Sequence, residues 1–525
     1  MPSSVKPPRD YRFWLVFLAI GISTMITALE LSAVSTALPK IVNDLSGSDF
    51  IWVGSAYALS ATAFIPMSGG FAQIFGRRFV MLSSLCIMAL GSALCGAAPT
   101  MNFLIAGRTV QGLGGGGIAS TTAIIISDLV PLQERGVFNG LIGIAWAVAG
   151  GVGPIVGGAL AQSGQWRWLF YLNIPICGVA GALMLLFLRV NTPLGSLREK
   201  FGRVDWIGNI IVISATTACV VALTWSGVQH AWDSAPVLVP LVVGLVGLII
   251  FLAYEAFVPK YPLVPFTLMS TMTGVSGYIQ TFVMPVVMMA LDYVPVYFQA
   301  CKGASPVGAG VDQLGVALVL APSGIISGAS VNKTQKYRPQ LWLSWILLTL
   351  GTGLLSTLNE DTPKGHAIGF EVLVAVGIGI LTTTTYFPVL APVPVSQNAL
   401  ALAYFMFLRN FAQVWGVTVG GAVLQNELQK RMPAAFAAQV PGGTAIAYAT
   451  IPLIADLPEP LRNEVRVAFA NSLKVVWEVF AGISGIGLIA SLFMKGLPLH
   501  TSTDKQWALA QRGEQGSEDH EMESG

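Results

Sequence analysis

Apolar residues in this chain come in long runs, separated by short polar stretches. A helix needs roughly 20 such residues to cross a hydrocarbon core about 30 Å thick. Fourteen runs qualify as candidate spans. The first six are Phe13–Leu38, Ile51–Phe71, Phe79–Ala97, Phe103–Ser127, Phe138–Leu160 and Trp168–Leu188. Two more follow at Trp206–Trp225 and Val237–Val258. The last six are Ser276–Phe298, Val311–Ser330, Leu341–Leu358, Ile368–Pro388, Leu400–Leu424 and Val475–Lys495. The pattern predicts an all-α polytopic membrane protein.

The polar stretches divide the runs. Residues 1–12 form a polar, basic N-terminal tail, and 13–190 hold the first six spans. Residues 191–270 hold the longest linker, NTPLGSLREKFGRVDW, and two inserted spans. The last six spans lie in 271–498, with a long outer loop at 425–474 in which Leu461–Phe469 reads as an amphipathic surface helix. The tail, 499–525, has a composition that predicts disorder. The first run is too long for a signal-peptide core and contains Glu30, so it reads as a retained span.

Composition agrees. Of 525 residues, 54% are hydrophobic and only 10% charged, where a soluble protein carries about 25%. The net charge of +2 gives no field that would attract nucleic acid. The distribution of Lys and Arg is more informative. With the N-terminus in the cytoplasm, seventeen basic residues fall on the cytoplasmic side and nine on the other. That bias, and an even span count, place both termini inside. The five cysteines, without CxxC spacing, read as small packing residues. No HExxH, GxSxG or P-loop is present, so the expectation is no metal, no cofactor and no enzyme activity. The run Gly114–Gly117 reads as a close-packing helix face, since no Lys-Ser/Thr follows it.

Two segments repeat weakly. GGFAQIFGRR, Gly69 to Arg78, follows the second span, and GASVNKTQKYR, Gly328 to Arg338, follows the tenth. Each places a glycine near a helix end and basic residues about eight positions later, which suggests parallel six-span halves.

Several motifs carry a resemblance. Gly69, Gly76, Arg77 and Arg78 resemble the loop signature of the major facilitator transporters, with Gln73 where the family usually has Asp. Arg108-Thr-Val-Gln111-Gly112 resembles R-x-x-Q-G. Gly153-Pro154, Gly157 and Gly158 resemble the fifth-span signature associated with antiporters. Leu29–Pro39 is similar to the first-span signature of the fourteen-span drug/proton antiporter branch, with Glu30 for its Asp and Ser32 for its Thr. Trp166–Ile176 and Val296–Val311 add further agreement, nearest to fungal members. The resemblance implies a major facilitator fold of fourteen helices, in two six-helix bundles plus a two-helix insert. Gly69, Gly76, Arg77 and Arg78 are expected to act in gating, although Arg77 and Arg78 also satisfy the positive-inside rule; Gly153-Pro154 is expected to kink the fifth span, with Gly157 and Gly158 allowing close packing, as a hinge or seal.

Charges inside spans are costly and mark function. Glu30 lies about 12 Å, and Arg108 about 8 Å, below the outer ends of their helices, so the two meet if spans one and four adjoin. Burial favours a neutral carboxyl and a neighbouring arginine favours the charged one. A group balanced between them can load and release protons, so Glu30 is the expected coupling residue, with Arg108 beside it; a fixed structural ion pair is the alternative. Asp292, about 9 Å from the outer end of its span, is a second carboxylate, for proton coupling, for a cationic substrate or for capping. Arg409 lies near mid-membrane, for structural pairing or substrate contact. Gln111, Trp146, Tyr404 and Trp415 complete a candidate substrate cavity, ordinary packing being the alternative for the aromatics.

The expected function is secondary export of a small organic molecule (a drug, toxin or specialised metabolite) in exchange for protons by alternating access. Proton-coupled uptake of a siderophore or nutrient, or a transport-dead sensor, are the alternatives. The expected partners are the lipid bilayer, the small organic substrate and protons, in a monomer of the plasma membrane or the vacuolar membrane.

Overall fold

The computed structural model describes residues 9–45, 51–188, 196–227, 229–437 and 451–501. The expected tails before residue 9 and after residue 501, linker residues 189–195 and loop residues 438–450 therefore lie outside the described residues.

The fold is helical. In the first half run α1 (Tyr11–Leu45), α2 (Ile51–Phe75), α3 (Arg77–Gly96), α4 (Met101–Leu129), α5 (Leu132–Gln162), α6 (Trp168–Tyr171) and α7 (Asn173–Phe187). The insert follows as α8 (Leu197–Gly202), α9 (Trp206–Trp225) and α10 (Ala235–Phe257). The second half holds α11 (Met272–Met288), α12 (Val294–Lys302), α13 (Pro306–Asp312), α14 (Leu314–Thr334), α15 (Arg338–Leu355), α16 (Lys364–Thr384), α17 (Tyr386–Leu390), α18 (Asn398–Arg431), α19 (Ala434–Ala437) and α20 (Leu461–Leu492).

Among the described residues, eleven helices are long and apolar enough to cross a membrane, fewer than the fourteen expected. The other three expected spans coincide with α4, α15 and α18, which polar residues dilute: Arg108 and Gln111, Arg338 and Gln340, and Arg409, Asn410 and Gln413. The long outer loop is also shorter than expected. Helix α18 continues to Arg431, and Leu461–Phe469 is the first part of the continuous α20 rather than a separate surface helix. Val465, Ala468, Phe469 and Leu473 are buried at helical spacing, so packing holds this first part of the helix.

Glycines set the helix contacts. Gly112 and Gly116 of α4 lie against the α2 backbone at Tyr57 and Ala61, while Gly114 and Gly117 lie against Met88 and Ser84 of α3. Gly153 and Gly157 bring α5 onto Ser32 and Ala33 of α1, and Ser32 donates to the Ala149 carbonyl at 3.1 Å. Helix α5 runs through Pro154 as one element. In the insert, α10 touches its neighbours along one stripe, Val237, Gly244, Phe251 and Glu255, with Gly244 against Cys219 of α9.

The two halves meet at one end. There Gly69 of α2 faces Ala403 of α18, and Gly328 of α14 faces Gly136 of α5. A methyl group on Gly136 would stand 2.8 Å from the Gly328 Cα, and one on Gly140 would stand 2.7 Å from Ile325. One turn further, Gly143 only reaches Ala321 at 4.0 Å, and Gly150 and Gly151 have open space around them. Leu314 and Leu318 of α14 are exposed along the same line. The halves thus touch at the end that carries Arg77 and Arg135 and part toward the other, leaving a cleft.

Gly328→Ala tests this contact. Its methyl group would collide with the Gly136 carbonyl carbon, and overpacking of this kind costs about 1–3 kcal/mol. Labelling of a cysteine introduced at Gln133, beside the contact, is expected to increase in this variant. Unchanged labelling would mean that the contact does not close this end.

Candidate functional site

The fold brings Glu30 and Arg108 together. Glu30 on α1 and Arg108 on α4 form an ion pair, each only 1% exposed. Arg108 Nη1 also donates to Gln111 Oε1 at 2.7 Å, and its Nε to the Val53 carbonyl of α2 at 2.8 Å. Asn173, at the start of α7, donates through Nδ2 to the second oxygen of Glu30. Gln111 Nε2 donates to Ser92 Oγ of α3 at 2.8 Å. The guanidinium lies 4.7 Å from the Tyr57 ring centroid, a cation–π contact. One charged cluster therefore ties α1, α2, α3, α4 and α7 together. Both carboxyl oxygens have donors, one from Arg108 and one from Asn173.

This geometry moves Gln111. It was expected to line the substrate cavity, but it is fully buried and serves the ion pair. Asn173 and Ser92 are partners that the sequence reading missed. Asn173 had a signal: it is a polar residue that follows the apolar stretch Leu169–Leu172 inside a span.

At the closed end, Gly76 alone separates α2 from α3, at a φ of 95° that an L side chain rarely adopts. The turn buries Arg77, which donates to Asp128 Oδ2 and to the Ala72 carbonyl, both at 2.9 Å. Arg135 donates to the Val130 and Ser127 carbonyls at 2.9 and 2.6 Å and so caps the end of α4. Arg78 reaches the Leu185 carbonyl of α7. Gln73 lines a cavity of about 310 Å³ with Arg203, Asn209 and Lys260.

The other candidates do not converge on one chamber. Trp146 is exposed one turn past Gly143, where the halves begin to part. Pro154 and Gly158 lie further along the same helix, and Pro154 is exposed. Asp292 sits in a 3₁₀ turn, Met289–Tyr293, between α11 and α12. It is exposed while Leu291 and Tyr293 are buried, and with Met288, Pro295 and Gln299 it forms an accessible stripe at helical spacing. Arg409 is half-buried with its guanidinium 5.2 Å from the Phe405 ring and 5.9 Å from that of Tyr386. Tyr404 and Trp415 depart from expectation. They line an apolar groove of about 590 Å³ with Leu252 of α10, Tyr278 and Phe282 of α11, and Ile486 of α20. The helical turn places this groove on the side of α18 away from Gln413 and Val417, which are exposed. Among the described residues no cluster of His, Cys, Asp or Glu could hold a metal.

A sequence-family model described as Major Facilitator Superfamily matches residues 20–417. The chain belongs to this superfamily. It is a multi-pass membrane protein. Among the relatives of this major facilitator chain is an efflux pump, FUS6, of Gibberella fujikuroi, 38% identical over 97% of this chain and 93% of the relative. An efflux pump of a Fusarium species, LUC4, is 37% identical over 96% and 92%. A transporter of the acurin A biosynthesis cluster of Aspergillus aculeatus is 37% identical over 96% and 93%. Two solved structures share the major facilitator fold. The human organic anion transporter MFSD10 gives a TM-score of 0.57 at 13% identity, covering 93% of this chain and all of the other. The proton:xylose symporter XylE gives 0.58 at 12%, covering 93% and 98%.

The buried ion pair makes a thermodynamic prediction. Removing one partner strands the other, at a cost of about 3–5 kcal/mol. Arg108→Met is therefore expected to lower the unfolding temperature of the purified protein sharply. Adding Glu30→Gln to it should recover part of the loss. Additive single-variant losses would show that the two groups do not depend on each other.

Proposed function

We propose that this major facilitator protein exports a small organic molecule, a specialised metabolite or toxin, in exchange for protons. The observation that carries the reading is the sealed Glu30–Arg108 pair within a chain whose full-length relatives include fungal efflux pumps. The charge bias puts the end with Arg77 and Arg135 in the cytoplasm, with both termini inside. The cleft then faces outward. The plasma membrane and a monomer fit this reading, as do fourteen spans arranged as two six-helix bundles, 13–190 and 271–498, around the insert 191–270.

Coupling follows from the charge balance. With Glu30 ionised, Arg108 is neutralised and five helices are held together. A proton on Glu30 removes that neutralisation, so Arg108 must find water or another anion, and the cluster loosens. The glycine contacts at Gly69 and Gly136 then open and the opposite end closes. Asp292, accessible and without an ion pair among the described residues, supplies a carboxylate for a cationic group on the cargo, and Trp146 an exposed aromatic surface on α5.

Comparing culture medium from cells with and without the gene should reveal the missing product. Vesicles containing the protein, given an imposed pH gradient and an extract of that medium, should then move protons. In Glu30→Gln vesicles this movement is expected to fall to the level of empty vesicles, with the protein still folded in the membrane. Proton movement at the normal rate would remove Glu30 from the coupling role. Asp292→Asn is expected to weaken cargo binding while leaving the fold intact, read as a higher concentration of purified product for half-maximal proton movement; an unchanged concentration would exclude Asp292 from the binding site.

A further inference from the structure

Glu371 takes part in none of the interactions above. It stands two turns into α16, is 0% exposed, and neither carboxyl oxygen has a hydrogen-bond partner. Ala367, Val374, Ala375 and Ile378 share its face of the helix and are fully buried, so that face of α16 is apolar. The charged group that acts on it is Asp312, at the end of α13, which is itself an anion. Lys364, seven residues earlier on α16, is bonded to that Asp312 at 3.1 Å. The elements packed against α16 are α14, α15, α12, α11 and α5. Their titratable groups, Lys333, Arg338, Cys301, Lys302, Glu134 and Arg135, give Glu371 no bond, and neither do the phenols Tyr278 and Tyr297 of α11 and α12 or Asp292 of the turn between those two helices. An ionised carboxylate without water, donor or cation is far costlier to bury than a neutral acid.

Helix α16 is also clasped to the helix that closes the cleft. Gly379 packs under Ser323 and Leu320 of α14, and Thr383 Oγ1 donates to the Gly324 carbonyl at 3.2 Å. Gly324 lies one turn before Gly328, the contact to α5. A rearrangement that hydrates the interior face of α16 therefore pulls on the closed end.

We propose that Glu371 is a second proton-binding site, which holds one proton as a neutral carboxylic acid while the halves are closed at Gly136–Gly328. The proton comes from water when the face is hydrated and returns to water on the side to which the site next opens. No other group changes its charge or bonding. The inference goes beyond the exchange reading: it concerns the conformational equilibrium alone and holds with no cargo and no gradient.

The sign follows. A proton bound in the closed form stabilises that form at acidic pH, and the stabilisation is lost as pH rises. Gln133 and Gln335 bracket the contact, bonded to each other at 3.2 Å. Spin labels at these two positions in the full-length protein, reconstituted in lipid nanodiscs, report closure as a short distance. With Glu30→Gln present, which removes the opposite effect of a proton on Glu30, the short-distance population is expected to fall as pH rises, and with Glu371→Gln added to stay unchanged. A Glu30→Gln background should keep the part of the pH dependence due to Glu371, which separates this site from the coupling reading. If Glu371→Gln leaves the pH dependence of that background unchanged, the proposal is overturned. Infrared spectroscopy of the unmutated transporter gives a test independent of the variant's folding. The carbonyl band of a protonated carboxyl is expected at neutral pH, and its absence would also overturn the proposal.

Discussion

Two helices in a bilayer gain little by hiding apolar surface from each other, because lipid is just as apolar. What holds them is close backbone approach and the few polar bonds they share. Much of this molecule follows from that constraint. Helix α4 can serve two neighbours because Gly112 and Gly116 face α2 while Gly114 and Gly117 face α3. The same device brings α5 onto α1 and α10 onto α9. Once side chains are gone from the contact, small translations of one helix on another cost little in packing, and contacts at one end can be exchanged for contacts at the other.

Polar bonds then decide which arrangement is held. The cluster around Glu30 fixes five helices of the first half at one point. At the closed end, Arg77 and Arg135 bind the end of α4 from α3 and α5. The two halves are joined differently, through glycine and alanine surfaces with few polar bonds. Rigid bodies joined by a weak seam are what a rocking motion requires.

The sequence made much of this legible. Runs of apolar residues located the helices, since no other backbone arrangement satisfies its own polar groups within a single segment in lipid. The Glu30–Arg108 pairing was readable from depth alone, as two opposite charges at similar distances from one surface. The repeated segments were informative in a way their spacing did not announce: Gly69 and Gly328 both lie at contacts between the halves. Facing directions were not legible. Gln111 and Trp415 are residues of the right chemistry, but the rotation of each about its helix axis sends one into the charged cluster and the other to an apolar groove. Glu371 escaped notice because the apolar run began at Ile368, which placed it near a helix end. The helix begins at Lys364, which moves the carboxyl a full turn deeper.

Helix α10 meets the rest of the protein along one narrow stripe, and most of its remaining side chains face outward. At those outward positions the environment asks only for oiliness and length. Exchange of one aliphatic residue for another there alters no contact within the protein. The 23-residue helix, roughly 34 Å long, is therefore the part of the molecule most directly in register with the thickness of the surrounding membrane. A thinner or thicker bilayer would tilt it first, and its C-terminal end, where Glu255 accepts from the Val264 backbone at 3.1 Å, would carry that tilt into the segment leading to α11.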